Sequence, residues 1–166
     1  MSRAFVKEPD SEQADPGIIE RPQSVYPNYI TVAGLVHLKS ALEDLRDQRR
    51  ELKSREGNLS VKDRLPALEA AIRYLEKRIQ CAIPVDVSAQ TGSQIRFGAT
   101  VNLVDDKEQC YTFRIVGEDE ADVDHGMISW VSPLAREMIG KQAGACLTWK
   151  RPAGDLELEI TGFFYQ

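Results

Sequence analysis

The 166-residue chain has two histidines, three cysteines and two tryptophans, and aromatic residues make up only 7% of it. Each scarcity excludes something. Neither His37 nor His125 stands with a serine or cysteine and an acid in a nucleophile motif, which argues against triad-type hydrolysis. Cys81, Cys110 and Cys146 are far apart, odd in number and without a C-x-x-C pair, so neither a disulfide framework nor a zinc site is expected. They are expected instead to be small buried apolar side chains. No apolar run approaches the ~20 residues that cross a bilayer, and Met1-Ser2-Arg3-Ala4-Phe5-Val6-Lys7 has no signal-peptide core. A cytoplasmic protein without membrane contact is the expectation. A phosphate-cradling glycine loop is missing as well, and no cofactor or metal is expected.

Hydrophobic residues at 42% and charged residues at 28% are the balance of a globular chain with one or two small cores. The net charge of −5 is unevenly spread. Residues 35–82 carry 11 Lys and Arg against 8 Asp and Glu, whereas residues 83–166 carry 7 against 13. Oppositely charged halves suggest two contact surfaces with different partners, although a solvated helix face accounts for the first half almost as well. A broad basic patch for nucleic acid is not supported.

Three segments follow one another. Residues 1–28 hold four of the eight prolines and many acidic and polar residues without apolar periodicity, and are expected to form an extended or disordered arm. Residues 29–83 read as an antiparallel helical hairpin. Leu35, Leu38, Leu42, Leu45 and Leu52 form one apolar seam, with Arg49 as its polar position, and Leu65, Leu68, Ile72, Leu75 and Ile79 form a second. Thr31 is a candidate first N-cap; Ser60 or Asp63 would cap the second helix, with Pro66 near its first turn.

From residue 84 to 166 the period changes to two. Ile95, Phe97, Ala99, Val101 and Leu103 alternate with polar or small residues, as do Tyr111, Phe113 and Ile115, and Asp105-Asp106-Lys107-Glu108 between them reads as a turn. A strand is expected over Met127–Val131, a short helix capped by Ser132 from Pro133 to Ile139, and strands around Leu147–Trp149 and Leu156–Phe164, with Phe164 facing inward. Trp130, Trp149, Phe163 and Phe164 are expected to be packing residues. The fold class is α+β: a helical hairpin, then an antiparallel sheet with one short helix.

The ordered runs Phe97-Gly98-Ala99-Thr100-Val101, Phe113-Arg114-Ile115-Val116-Gly117-Glu118-Asp119-Glu120-Ala121-Asp122, Ile128-Ser129-Trp130-Val131-Ser132-Pro133-Leu134-Ala135 and Ile139-Gly140-Lys141 resemble the Gre transcription elongation factors over residues 29–166. The resemblance implies a coiled-coil hairpin followed by a domain similar to FK506-binding proteins. It also implies a partner, bacterial RNA polymerase, on which the second domain docks while the hairpin enters the secondary channel. Any contact with nucleic acid is then indirect, and the factor is expected to be a monomer. Asp119, Asp122, Ser132 and Pro133 are the implied docking residues.

The hairpin tip departs from the family. Cleavage-stimulating members read Gly-Asp-(Leu or Arg)-Ser-Glu-Asn, and this chain reads Gly57-Asn58-Leu59-Ser60-Val61-Lys62. Magnesium favours charged oxygen ligands; valine offers none, the Asn58 amide is a weaker neutral donor, and Lys62 repels the ion. The hairpin is also shorter by about two heptads, about seven residues per arm, which withdraws the tip by about 10 Å at helical rise. The expectation is a non-enzymatic regulator without cleavage stimulation. Alternatives are cleavage stimulation through Glu56 or Asp63, a peptidyl-prolyl isomerase, and a coiled-coil adaptor. The cluster from Glu118 to His125, with five carboxylates, is expected to be a solvated acidic loop rather than a metal site.

Overall fold

A computed structural model of the chain describes residues 21–54 and 59–165, the side chains of residues 59–63 excepted. Most of the expected arm and the tip residues Glu56, Gly57 and Asn58 therefore lie outside the described residues. Strand β1, Asn28–Thr31, leads into helix α1, Val32–Ser54; helix α2, Leu59–Gln80, returns into strand β2, Ala82–Val85. Asn28 pairs with Ala82 and Thr31 with Val85 in a parallel ladder that the sequence did not announce. The whole hairpin is thus the crossover connecting two parallel strands.

The predicted seams meet. Leu42 and Ile72 are buried, and the seam residues around them are half-buried, because two helices cover each other on one side only. Arg46 and Glu76 pair at 2.7 Å and Lys53 and Glu69 at 3.4 Å, so that residues farther along α1 meet residues earlier in α2. The start of α2 differs from expectation: the helix already runs at Leu59, so Asp63 lies inside it rather than at its cap, and Pro66 is an interior residue. Pro66 has no N–H for the carbonyl four residues back, yet it falls in the first half of the helix and the seam continues past it.

The remaining strands are β3, Ala99–Asp105; β4, Cys110–Val116; β5, Met127–Ser129; β6, Cys146–Trp149; and β7, Leu156–Tyr165. They form one sheet in the order β5-β4-β3-β7-β6. Helix α3, Pro133–Met138, contributes Leu134, Ala135 and Met138 to the core with Val101, Leu103, Ile115, Leu158 and Ile160. Two expectations need correction. The sheet is mixed, because β5 runs parallel to β4; residues 117–126 double back beside the second half of β4, so that Met127 pairs with Arg114. Phe164 faces outward at 40% exposure while Phe163 and Tyr165 pack on the core. Asn102 pairs with Gly162 but Leu103 with Ile160, so Thr161 is an inserted residue. One extra residue in a bulge reverses which side chains face the core.

The three cysteines are exposed, contrary to expectation. Cys110 and Cys146 begin β4 and β6 on outward-facing positions, and Cys81 follows the end of α2. Ile95 is fully buried and Phe97 half-buried, but both precede β3.

The predicted turn at Asp105 is held by that carboxylate, which accepts from the amides of Lys107 at 2.9 Å and Gln109 at 2.8 Å and from the Tyr111 hydroxyl at 3.2 Å. Burial pushes the Asp105 carboxyl up, but these donors and the Lys107 charge outweigh it and leave its pKa below the ordinary value. A depressed carboxylate contributes stability above its unfolded pKa that is lost as pH falls through the folded one. Asp105→Asn is expected to flatten the acid limb of the stability curve below the ordinary aspartate range, read from urea midpoints at stepped pH.

Candidate functional site

The acidic run Glu118-Asp119-Glu120 forms a 3-10 turn directly after β4 and Gly117. All three carboxylates turn toward the hairpin rather than into solvent. Arg78, in the last turn of α2 and only 3% exposed, donates from Nε to Asp119 at 2.6 Å and from Nη2 to the Asn28 side chain at 2.6 Å. Its Nη2 also lies 3.6 Å from Glu118. Asn28 closes the loop by donating to the Arg78 carbonyl at 2.8 Å. An arginine so far from water needs this set of partners, since an unpaired buried guanidinium is too costly to persist.

Glu120 holds the other helix. It accepts from the Thr31 amide at 2.9 Å, from the Thr31 hydroxyl and from the Gly117 amide at 3.1 Å. The Thr31 hydroxyl oxygen in turn accepts from the Gly34 amide at 2.9 Å, which is the N-cap expected from the sequence. Two glycines make room: a Cβ at Gly34 would lie 2.2 Å from the Glu120 carboxyl carbon, and one at Gly117 would lie 2.5 Å from the Tyr29 carbonyl. Tyr74 adds a long contact, 3.4 Å, to Asp119. Burial first, and then the Asp119 charge, hold the Tyr74 hydroxyl above its ordinary pKa, so it stays protonated as a donor.

These residues form a clasp that ties both helices of the hairpin to the sheet, and it fixes the direction in which the hairpin projects. The aromatic side chains extend it, with Tyr29 edge-on to Trp130 at 5.2 Å and tilted to Phe97 at 6.1 Å. Arg78 and Asn28 were not legible as site residues. Arg78 is one of many cations on the hairpin, and nothing in the sequence separates it from the solvated ones. The acidic run carried a usable signal, because only Gly117 separates it from the buried pair Ile115-Val116 and it cannot be far from the core.

Of the four residues implied as docking contacts, the structure places Asp119 inside the clasp, its side chain 10% exposed. Asp122 stands at the surface, fixed by a bridge to Met127 and paired with the exposed His125 at 2.7 Å. The His125 hydrogen bond holds the Asp122 carboxyl below its ordinary pKa. Ser132 accepts from the Ala135 amide at 3.3 Å as the cap of α3, and Pro133 is exposed beside it. Pro133, Val131, Leu134, Arg136, Glu137, Thr148 and Lys150 line a cleft of about 290 Å³. Arg136 also stacks over Tyr26 at 4.9 Å. Asp122 and Pro133 are thus available to a partner, whereas Asp119 and Ser132 work within the protein. Ser132→Ala is expected to cost about 1 kcal/mol through the lost cap, measured by urea unfolding.

Of the tip residues, Val61, Lys62 and Asp63 belong to the first turns of α2. At 1.5 Å of rise, the 23 residues of α1 carry its last residue, Ser54, about 35 Å from the clasp. No helix among the described residues is long and apolar enough to cross a membrane.

Residues 90–165 match the family described as transcription elongation factor, GreA/GreB, C-terminal. The chain is 34% identical over 152 residues to transcription elongation factor GreA of Thioalkalivibrio sulfidiphilus, covering 82% of this chain and 96% of that protein. It is 37% identical over 146 residues to GreA of Maricaulis maris, covering 79% and 93%. The solved structure of GreA factor homolog 1 from Thermus thermophilus is similar at 23% identity and a TM-score of 0.41, covering 84% of this chain and 99% of that one. At the identity and coverage of the two GreA proteins, the chain belongs to the Gre family of transcription elongation factors.

Proposed function

We propose that the chain is a non-enzymatic regulator that docks on bacterial RNA polymerase through its sheet and places the hairpin in the secondary channel without stimulating transcript cleavage. The observation that carries this reading is the tip sequence, in which Asn58 and Val61 stand where cleavage-stimulating relatives have two acids. A neutral amide and an isopropyl group cannot hold a divalent ion as two carboxylates do. The clasp supports the same reading, since a hairpin held at both helices by the sheet is presented as a unit once the sheet has docked. Asp122 and Pro133 make the docking contacts in this scheme. Asp119 and Ser132 position them, the first by anchoring the acidic turn and the second by capping α3.

Two measurements test it. The chain is expected to bind core RNA polymerase in a pull-down, and Asp122→Lys with Pro133→Ala to weaken that binding. Arrested elongation complexes incubated with the chain are expected to keep their RNA length, and to keep it also with Asn58→Asp and Val61→Glu, because the shorter hairpin holds even an acidic tip about 10 Å back. Shortened RNA with the natural tip overturns the loss of cleavage stimulation, and failure to bind core polymerase overturns the docking.

A further inference from the structure

Just ahead of β1 the chain carries two exposed large side chains in a row, Val25 at 91% and Tyr26 at 43% exposure. The Tyr26 ring is nevertheless fixed. It meets Trp130 edge-to-face with ring centres 6.1 Å apart, and the Arg136 guanidinium lies 4.9 Å from its centre. The backbone is held on both sides: the Tyr26 amide donates to the Ser24 hydroxyl at 3.2 Å, and the Tyr29 amide to the Pro27 carbonyl at 2.9 Å. Pro27 restricts its own φ between them.

Arg136 joins this segment to the face that carries Pro133. It is exposed on α3 one helical turn after Pro133, and both residues line the same cleft. We propose that Val25, Tyr26 and Arg136 extend the polymerase-docking surface beyond Pro133, an inference that rests on the docking proposed above.

Three features select polymerase as the occupant. The first is continuity. A partner seated on Pro133 and the α3 cleft lies against Arg136, and Arg136 lies on Tyr26; an ordinary interface of about 800 Å² per partner spans all of them. The second is preorganisation. A stacked ring on a braced backbone loses little freedom on binding, so its burial contributes almost fully to affinity. The third is chemistry. Tyrosine and arginine are the residue types that most often carry interface energy. A guanidinium stacked on a ring keeps its N–H edge open, and Arg136 makes no ion pair among the described residues. The complementary patch is therefore an apolar side chain over Val25 and Tyr26 beside a carboxylate that Arg136 can reach.

The test measures the affinity of the full chain for immobilised core RNA polymerase by biolayer interferometry, with urea midpoints of the same proteins. Val25→Asp is expected to weaken binding about tenfold, because it drives a carboxylate into an apolar contact. Its urea midpoint is expected to stay unchanged, since a side chain 91% exposed has no packing to lose. Tyr26→Ala and Arg136→Gln are each expected to weaken binding about fivefold, whereas Tyr26→Phe keeps the stack and binds like the natural chain.

Asp122→Lys with Pro133→Ala, run in parallel, reports the docking by itself. If that pair weakens binding while Val25→Asp and Tyr26→Ala leave it unchanged, the extension is overturned and the docking stands. If neither set weakens it, the docking falls and the extension falls with it. If Val25→Asp and Tyr26→Ala alone weaken it, the extension stands and the contacts assigned to Asp122 and Pro133 fall. Sedimentation of the natural chain as a dimer and of Val25→Asp as a monomer would show a second copy on these residues, which overturns the proposal.

Discussion

Arg78→Met is expected to destabilise the protein by about 3–5 kcal/mol, the usual loss when one partner of a buried ion pair is removed. The size follows from what remains behind. Arg78 is 3% exposed and the Asp119 side chain 10% exposed, so the substitution strands a carboxylate, and the Asn28 side-chain oxygen beside it, away from water. Methionine restores much of the lost volume, so the deficit reports the charge rather than a cavity. Arg78→Lys keeps the charge but cannot donate from Nε to Asp119 and from Nη2 to Asn28 together, and is expected to fall between the two. Arg78→Met with Asp119→Leu is expected to recover most of the loss, because a well-packed apolar pair replaces a buried ion pair at little net cost. Urea unfolding followed by circular dichroism reads all four proteins. A loss for Arg78→Met no larger than that of an ordinary surface change, about 0.5 kcal/mol, would sink the clasp as a source of stability.

What the sequence disclosed and what it hid divide along physical lines. The helical seams were legible because a 3.6-residue period over more than twenty residues has few competing explanations, and the buried pair Leu42 and Ile72 lies on the predicted stripes. The Thr31 and Ser132 caps were legible because they are local bonds, made to Gly34 and Ala135 three residues on. Long-range features were not. The β1–β2 ladder joins residues 54 apart, Asn28 and Ala82, and no periodicity within either four-residue strand announces its partner. The bulge at Thr161 depends on how β7 meets β3, so the alternation that placed Ile160 inward correctly placed Phe164 wrongly.

The acidic run illustrates the same limit at the candidate site. Composition assigns five carboxylates in eight residues to solvent, and for Asp122 and Asp124 that reading holds. Glu118, Asp119 and Glu120 are instead matched by Arg78 and Thr31, which stand 41 and 89 residues away at the closest bonds. Charge alone therefore marks a loop as polar without saying whether its partner is water or the other half of the protein.

Gly34→Ala separates these two possibilities most sharply, because two opposing effects of different origin meet at one atom. In an ordinary helix the change stabilises by about 0.5–1 kcal/mol, since glycine loses more backbone freedom on folding. Here the new methyl would sit 2.2 Å from the Glu120 carboxyl carbon, well inside contact distance. Glu120 must then swing away from the Thr31 amide, the Thr31 hydroxyl and the Gly117 amide. Hydrogen bonds to a charged group contribute about 1.5–3 kcal/mol each, so losing even two outweighs the helix gain. The net expectation is a loss of about 2–4 kcal/mol. In a Glu120→Ala background the obstacle is gone, and the same Gly34→Ala change is expected to become neutral or stabilising, by up to about 1 kcal/mol. This reversal of sign in a double-mutant cycle cannot come from helix propensity alone, which acts equally in both backgrounds. If Gly34→Ala instead stabilises the otherwise natural chain, Glu120 does not hold the hairpin, and the clasp reduces to Arg78 and its partners.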